Sequence, residues 1–399
     1  IDDDKDFLVI SAGTGAQTNS GSFSRSSLYS LFGRLDYTFD DKYFINGTLR
    51  RDQSSKFGRN YRTGYFPSAA VGWRVSSEPF MADIGWLDDL KLRGSWGVIG
   101  NQNGLDNNNQ YDVYVTSDPN SYGISGDNGN RVVAMVPSRI GNPNTRWEKS
   151  ATVNLGFDAT VLNSSLDINF DWYVRRTTDL LAVNQAPFTG PSITQPSINV
   201  GELTNRGVDL GLTKRSKPGV FQYSASLIFS TYRNEVVRIL DNPLATLAGG
   251  STRMGNAVLT QAGYPISSFY GYQIDGFFNS AAEAEAYAAE YSTWLTPEVG
   301  RWRIKDINGD KRVDGNDRTM IGSPHPDFQT SLNLSLAYKN FDFNCFLFWN
   351  QGGSVFNYTR YVIDFHTFTT NRSKRMLYES WTPELGNKAK LPKLDLNDS

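Results

Sequence analysis

The chain has 399 residues, and its 39 Lys and Arg side chains nearly balance 41 Asp and Glu, which gives no electrostatic reason to expect a nucleic acid partner. Cys345 is the single cysteine, and His325 and His366 are the only histidines, which excludes an internal disulfide and a thiolate metal cluster and argues against a zinc site built on histidines. No run of apolar residues approaches the roughly 18 that a transmembrane helix needs.

The first clear elements lie within residues 28–51. Apolar side chains occupy every second position from Leu31 to Phe39 and again from Tyr43 to Leu49, with polar residues between them. This period of two predicts two strands, and the short polar segment 40–42 predicts a hairpin turn between them. Four aromatic residues stand beside the turn, namely Tyr37, Phe39, Tyr43 and Phe44. Such crowding is typical of the aromatic girdle of an outer-membrane barrel.

Eight further segments repeat the alternation: 65–76, 90–99, 149–161, 166–176, 207–214, 221–232, 332–338 and 341–347. Short and long connections alternate between these predicted strands. An up-and-down barrel with short turns on one rim and long loops on the other produces this pattern. A soluble all-β sandwich or propeller remains the alternative. Charged strand residues are expected to face the lumen and to pair or to tune what passes: Arg34, Lys91, Arg93, Asp167, Asp171 and Arg175.

The predicted fold is therefore all-β, an antiparallel transmembrane outer-membrane β-barrel with long extracellular loops. About ten strands would leave two bare sheet edges, so residues 1–399 are expected to be part of a single larger barrel domain. The absence of an initiator Met and of a signal peptide also favours an internal piece of a longer protein. Residues 233–327 are predicted to form a long extracellular loop region with a short helix over 280–291, capped by Ser280.

The segment 306–317 has the spacing of a 12-residue calcium loop. Oxygen ligands would come from the side chains of Asp306, Asn308, Asp310, Asp314 and Asp317 and from the carbonyl of Arg312. Lys311 stands where a Gly usually makes the sharp turn, and the last position holds Asp instead of the longer Glu. We expect either a calcium ion or a loop of Asx turns whose side chains cap their own backbone. No other cofactor is expected.

Aromatic and amide side chains in the long connections are the candidate ligand contacts. The residues singled out are Asn101, Gln102, Asn103, Trp147, Tyr270 and Tyr272. Aromatic faces with amides suit sugar rings and peptides about equally, and the alternative for each residue is packing between loops or against a partner. No catalytic set is found, because GxSxG is absent and the adjacent pair Asp88–Asp89 would point to opposite sides of an extended chain.

Several stretches resemble the SusC/RagA family of TonB-dependent outer-membrane transporters. They include YSLFGRLDYTFDDKYFINGTLRRDQSSKFGRNYRTGYFPSAAVGWRVSSEPFM, WLDDLKLRGSWGVIGNQNG, GNPNTRWEKSATVNLGFD, NVGELTNRGVDLGL, YPISSFYGYQIDGFF and DINGDKRVDGNDRTMIGSPHPDFQTSLNLSLAYKNFDF. They follow the family order from about Tyr29 to Thr382. Related transporters tend to carry Gly where Lys311 stands, which counts against calcium here. The resemblance also implies a plug domain, a TonB-contacting segment and first strands before Ile1, and last strands after Ser399.

The resemblance implies import of oligosaccharides or peptides across the outer membrane of a Bacteroidetes-type bacterium. A SusD-like surface lipoprotein would act as the lid, TonB would act on the plug, and the chain would catalyse no covalent chemistry. Two alternatives remain, a non-transporting surface glycan-binding or adhesion module and a secreted β-propeller hydrolase. A protein that stays in solution without detergent would favour the first, and turnover lost on a single carboxylate substitution would favour the second.

Overall fold

The computed structural model describes residues 11–12, 19–20, 24–123, 131–183, 193–240, 246–252, 255–365 and 371–394. Each of the predicted long loops, 100–148, 177–206 and 233–327, includes a stretch outside these ranges. His366 also lies outside them. Ten long strands form the main sheet: β1 (Leu28–Phe39), β2 (Tyr43–Ser54), β3 (Thr63–Arg74), β4 (Leu87–Asn101), β5 (Glu148–Val161), β6 (Leu166–Thr178), β7 (Gly201–Arg215), β8 (Phe221–Ile239), β9 (Pro326–Tyr338) and β10 (Phe341–Gly352).

The order of the sheet follows the order of the sequence, from β1 at one edge to β10 at the other. Each of the ten predicted strands is present, and the pairing is antiparallel, so the all-β prediction is confirmed. The strands run further than the alternation suggested. β7 begins at Gly201 and β8 continues to Ile239.

The first hairpin turn bends through two aspartates in the left-handed conformation. Asp40 and Asp41 have φ values of 52° and 50°, and the Lys42 N–H donates to the Phe39 carbonyl at 3.1 Å. Asp tolerates positive φ better than most residues, and two such residues match the right-handed twist of the strands that they connect. The predicted turn is therefore confirmed as a tight hairpin.

Shorter strands and helices lie outside the main sheet. The paired strands are Ser11–Ala12 with Asn19–Ser20, Val113–Gly123 with Arg131–Arg139, Leu181–Val183 with Ser197–Asn199, Ile274–Phe277 with Trp302–Ile304, and Ser292–Thr293 with Arg312–Val313. A four-stranded sheet contains Thr246–Thr252, Gly255–Gln261, Ser268–Tyr272 and Arg318–Gly322. The helices are α1 (Ala281–Glu290), α2 (Tyr358–Asp364) and α3 (Arg375–Glu379), with 3-10 turns at Val75–Ser77, Pro79–Met81, Gly315–Asp317 and Gly386–Lys388.

Helix α1 is the helix predicted over 280–291. The Ser280 hydroxyl accepts the Glu283 N–H at 3.2 Å, and the Glu283 carboxylate accepts the Asn279 N–H at 2.8 Å. Tyr287 is the packing contact of this alanine-rich helix, because its hydroxyl donates to the Ile304 carbonyl at 2.6 Å. Burial of this phenol raises the pKa of Tyr287 to about 12.

The chain divides into two compact units. The first contains 1–232, 236–243 and 330–348, and the second contains 233–235, 244–329 and 349–399. A buried cluster of Phe57, Phe66, Leu105 and Trp147 lies in the first unit, and one of Phe277, Trp381 and Ala389 lies in the second. The prediction that 233–327 is an extracellular loop region of a single domain stays a prediction.

Candidate functional site

One face of the main sheet carries the apolar residues of successive strands. Leu35 pairs with Gly47, and Gly47 pairs with Ala69. Ala69 pairs with Trp96, which pairs with Val153, so these positions share a face. Sixteen large apolar side chains of this face in β1–β6 are exposed: Tyr29, Leu31, Leu35, Tyr37, Phe39, Tyr43, Ile45, Leu49, Tyr65, Val71, Trp73, Leu92, Trp96, Val153, Leu155 and Trp172. An exposed apolar surface of this extent needs an apolar environment.

The aromatic residues beside the first turn divide between the two faces. The rings of Phe39 and Tyr43 stack on the apolar face with centroids 6.3 Å apart. Phe44 lies on the opposite face, where the Lys91 ammonium is 4.2 Å from its ring centroid. The girdle interpretation therefore fits Tyr37, Phe39 and Tyr43 but is wrong for Phe44, because adjacent strand residues point to opposite faces.

The opposite face carries paired charges. The Arg93 Nε lies 2.7 Å from Asp158, and an Arg93 terminal nitrogen lies 3.2 Å from Asp171. Asn169 also donates to Asp158 at 2.8 Å. The predicted pairing of strand charges is confirmed for Arg93 with Asp171, whereas Asp167 pairs with Arg215. This polar face, defined by Arg93, Asp158, Asn169 and Asp171, offers fixed polar groups, with one guanidinium shared by two carboxylates.

Trp147 lies in the buried cluster of the first unit. Its side chain is 5 % exposed, and its ring centroid is 4.6 Å from that of Phe57 and 5.5 Å from that of Phe66. The indole N–H donates to the Arg62 carbonyl at 3.2 Å. In this conformation Trp147 therefore packs loops together and presents no free ring face. Its contact with a ligand stays a prediction.

The three predicted amide residues lie at the end of β4, with Asn101 as its last residue, and they bond to their neighbours. Asn101 donates to Glu148 at 2.9 Å and accepts the Asn103 N–H at 2.9 Å. The Gln102 side-chain oxygen accepts the Ser54 hydroxyl at 2.5 Å. These bonds shape the loop, while the Asn103 side chain stays exposed. Ligand binding by these residues remains a prediction.

A charge pair fixes the same loop. The Arg139 guanidinium donates to Asp106 at 2.8 Å, and the other carboxylate oxygen accepts the Asn108 N–H at 3.0 Å. The Arg139 hydrogen bond, followed by the Asn108 N–H, lowers the pKa of Asp106 from 3.8 to about 2. Sequence analysis missed this pair, because Asp106 and Arg139 are separated by much of a long loop.

The predicted calcium loop bonds extensively to its own backbone. Asp306 accepts N–H groups from Gly309 at 2.7 Å and Lys311 at 2.9 Å, and Asp310 accepts the Arg312 N–H at 2.8 Å. Asn308 accepts the Asp310 N–H at 2.9 Å. The bonds of Asn308 and Asp310 to the N–H group two residues on are Asx turns, whereas Asp306 bonds to N–H groups three and five residues on.

The end of this loop is fixed by a capping box. Asp314 accepts the Asn316 N–H at 2.8 Å, and buried Asp317 accepts the N–H groups of Asp314 at 2.8 Å and Ile307 at 2.9 Å. Burial alone would raise the pKa of Asp317, but the N–H groups of Asp314 and Ile307 outweigh it, so the pKa is lowered. Its carboxylate is therefore held charged inside the loop.

Lys311 adopts the conformation that a Gly usually supplies. Its φ is 61°, so the sharp turn forms despite the side chain. Across the ranges that the structure covers, no three or more His, Cys, Asp or Glu side chains are grouped so that they could hold a metal ion. Calcium binding at this loop stays a prediction.

Tyr270 and Tyr272 lie together in the second unit, on the strand Ser268–Tyr272. The Arg318 guanidinium carbon lies 4.7 Å from the Tyr270 ring centroid and 5.9 Å from that of Tyr272. Trp294 lies beside Tyr272 with centroids 6.2 Å apart. The structure thus brings these two predicted residues onto one partly exposed aromatic platform. Arg318 was missed, because strand pairing and not sequence proximity places it there.

In the described part of the chain, no helix is long and apolar enough to cross a membrane.

A family model described as TonB-dependent receptor-like, beta-barrel matches residues 2–357. The chain belongs to this family. It is therefore part of an outer-membrane β-barrel, and the exposed apolar face is the surface that meets lipid. The family is one of receptors and transporters and not of enzymes.

Two characterised relatives cover most of the chain. TonB-dependent receptor SusC of Bacteroides thetaiotaomicron is 31% identical over 366 residues, which are 90% of this chain and 34% of SusC. TonB-dependent receptor P3 of Formosa agariphila is 29% identical over 378 residues, which are 94% of this chain and 36% of that receptor. The chain thus spans about a third of the length of these relatives.

Solved structures agree on the fold. The structure of the RagAB peptide transporter matches with a TM-score of 0.77 and 24% identity, covering 98% of this chain and 40% of that one. The RagAB peptide importer in its open-open state matches with a TM-score of 0.74 and 26% identity, covering 97% and 39%. The predicted resemblance to the SusC/RagA family is confirmed.

Proposed function

We propose that this chain forms part of the wall and outer loops of a TonB-dependent importer of oligosaccharides or peptides. The observation that carries the proposal is the sheet itself, which joins an exposed apolar face to a face of paired charges within a family of TonB-dependent receptors. An apolar exterior and a polar interior are what a barrel needs to hold a polar passage across a membrane.

The names of similar proteins support import as the role. SusC and RagA-containing complexes stand among the relatives, and the latter are described as peptide transporters. By this analogy, a SusD-like surface lipoprotein covers the outer loops and delivers the cargo. TonB would supply energy through a plug region of the whole protein.

Gene deletion in the native host tests the proposal. Loss of the full-length gene should abolish uptake of one class of radiolabelled oligosaccharide or peptide, and complementation should restore it. A protonophore should stop the same uptake in the parent strain, because TonB-dependent import uses the inner-membrane proton gradient. Unchanged uptake of every cargo that the parent strain imports would overturn the importer proposal.

The partner is tested separately. Affinity purification of the full-length protein from detergent-extracted outer membranes should recover a surface lipoprotein in near-stoichiometric amount. A tagged porin-type barrel from the same membranes is the control for incidental co-extraction. Recovery of the lipoprotein with both baits would contradict a specific lid.

A further inference from the structure

The second unit contains a cavity of about 1070 Å³ that neither the family match nor the predicted sites explain. It lies among the strand Ile274–Phe277, residues 293–304, helix α2 and residues 376–394. This volume is that of a large ligand site. Its floor consists of buried apolar side chains, including Phe278, Ile304, Met376 and Leu391.

The rim of the cavity exposes apolar side chains to solvent. Seven large ones line it: Ile274, Trp294, Leu295, Ile321, Val355, Phe356 and Leu394. Trp294 is 62 % exposed and Val355 is 89 % exposed. Clustered exposure of this kind marks a surface that binds something, since each side chain would gain by leaving water.

The charged lining residues carry an excess of positive charge. Four cationic side chains, Arg301, Arg360, Lys390 and Lys393, face two carboxylates, Glu298 and Asp364.

Both carboxylates already have cationic neighbours. Asp364 pairs with Arg360 at 3.3 Å and with Arg375 at 2.8 Å, and Glu298 lies 4.0 Å from Arg301. Lys390 and Lys393 are exposed, and no described carboxylate lies within ion-pair distance of either ammonium. Lys390 interacts electrostatically with the Glu379 carboxylate, and Arg375 already bonds that carboxylate.

Two polar atoms buried at the floor also lack partners. Asp364 Oδ1 and Ser380 Oγ form no hydrogen bond within the described ranges, although both residues are more than nine-tenths buried. Buried polar atoms of this kind are usually satisfied. A peptide backbone carries both the N–H donor that Oδ1 lacks and the carbonyl acceptor that a hydroxyl needs.

The lining favours a peptide over a sugar. A sugar carries hydroxyl groups on most of its carbons, and burying them against Ile274, Ile321 and Val355 would leave them without hydrogen bonds. Neutral amide groups, which suit sugars, are represented in the lining by Asn357. Aliphatic and aromatic walls suit the side chains of Leu, Ile and Phe.

We propose that this cavity binds a peptide segment with a bulky apolar side chain and at least one carboxylate. The apolar side chain lies against Trp294 and its apolar neighbours, and the carboxylate lies between Lys390 and Lys393. The inference rests on the proposed import function and narrows its cargo to acidic apolar peptides.

Binding by the full-length protein in detergent tests the site. The probe is a fluorescent hexapeptide of Leu, Phe and Glu, compared with the same peptide carrying Gln for Glu and with a neutral glucose hexasaccharide. The acidic peptide should bind tighter than the Gln peptide, and that difference should shrink as salt rises. The hexasaccharide should not compete. Equal binding of the two peptides, or displacement by the hexasaccharide, would overturn the proposal.

Matched variants assign the binding to this cavity. The double variant Lys390→Gln with Lys393→Gln should bind the acidic peptide with roughly tenfold lower affinity. Its affinity for the Gln peptide should not change. Trp294→Ala should lower the affinity for both peptides. Lys388→Gln, which changes an exposed Lys outside the lining, is the control and should change neither. Parent-like affinity in the double Gln variant would overturn the site.

The two proposals fail in different ways. Uptake of a neutral oligosaccharide by the parent strain, with no peptide binding to the purified protein, would refute the peptide site. It would remain compatible with the import function. The opposite result is peptide binding that depends on Lys390 and Lys393 while deletion of the gene changes no uptake. That result would refute the import function and support the peptide site.

Discussion

At the scale of single residues, backbone placement decides what an aromatic side chain does. Trp147 and Trp294 both lie in long connections, yet the first is 5 % exposed and the second is 62 % exposed. Trp147 is enclosed because Phe57 and Phe66 converge on it from loops distant in sequence. Sequence alone cannot show this convergence, which is why Trp147 was selected for ligand contact although the folded chain encloses it.

Trp147→Ala is expected to lower the free energy of unfolding by about 3–5 kcal/mol, because it leaves a cavity between Phe57 and Phe66. It also removes the hydrogen bond that the Arg62 carbonyl accepts. Trp86→Ala removes an indole that is 61 % exposed and should cost far less. Thermal unfolding and limited proteolysis of the detergent-solubilised protein would compare the two. Equal losses would contradict the packing role of Trp147.

Asp106 predicts a pH dependence of the loop that follows β4. Its folded pKa of about 2 lies below the ordinary 3.8, so its contribution to stability is complete above about pH 4 and is lost as pH falls toward 2. Hydrogen exchange, corrected for intrinsic rates, should show the Asn108 N–H losing protection over that range. In Asp106→Ala, which has no side-chain acceptor, the low protection should already be present at pH 5. Protection in the parent that does not change between pH 5 and pH 2 would refute the pairing.

Lys311 tests the calcium hypothesis. Its φ of 61° is costly for a residue with a Cβ, so Lys311→Gly should stabilise the loop by about 0.5–1 kcal/mol. If the loop binds calcium, titration calorimetry should give a heat in the parent and in Lys311→Gly that disappears with Asp306→Ala and Asp310→Ala together. No heat in either the parent or Lys311→Gly would end the hypothesis.

At the scale of elements, alternation predicted all ten long strands, because each has one lipid-facing side that must be apolar. It underestimated their length. The first residues of β7 and the last of β8 lie where the polar and apolar sequence no longer alternates cleanly, as in 201–206 and 233–239. The hairpin Val113–Gly123 with Arg131–Arg139 was missed for the same reason.

The two faces of β5 provide a matched test. Leu155 is exposed on the apolar face, and Asn154 points to the polar face beside Ser95. Leu155→Lys should destabilise the folded protein in lipid by about 2–4 kcal/mol if it lies near the bilayer centre, whereas Asn154→Lys should cost much less. Urea unfolding in lipid vesicles, followed by the gel shift of the folded barrel, would measure both. A larger loss for Asn154→Lys would reverse the assignment of the faces.

At the scale of the whole molecule, the exposed apolar face decides between a membrane protein and the soluble alternatives. A soluble sandwich would cover such a face with a second sheet, yet sixteen large side chains of the apolar face of β1–β6 remain exposed. The protein should therefore stay monodisperse with a strand-rich circular dichroism spectrum in detergent or lipid nanodiscs, and should aggregate when detergent is removed into buffer. Sedimentation before and after removal would measure this. A monodisperse, strand-rich species in detergent-free buffer would mean that the apolar face is covered within the protein, and the lipid-facing assignment would be wrong.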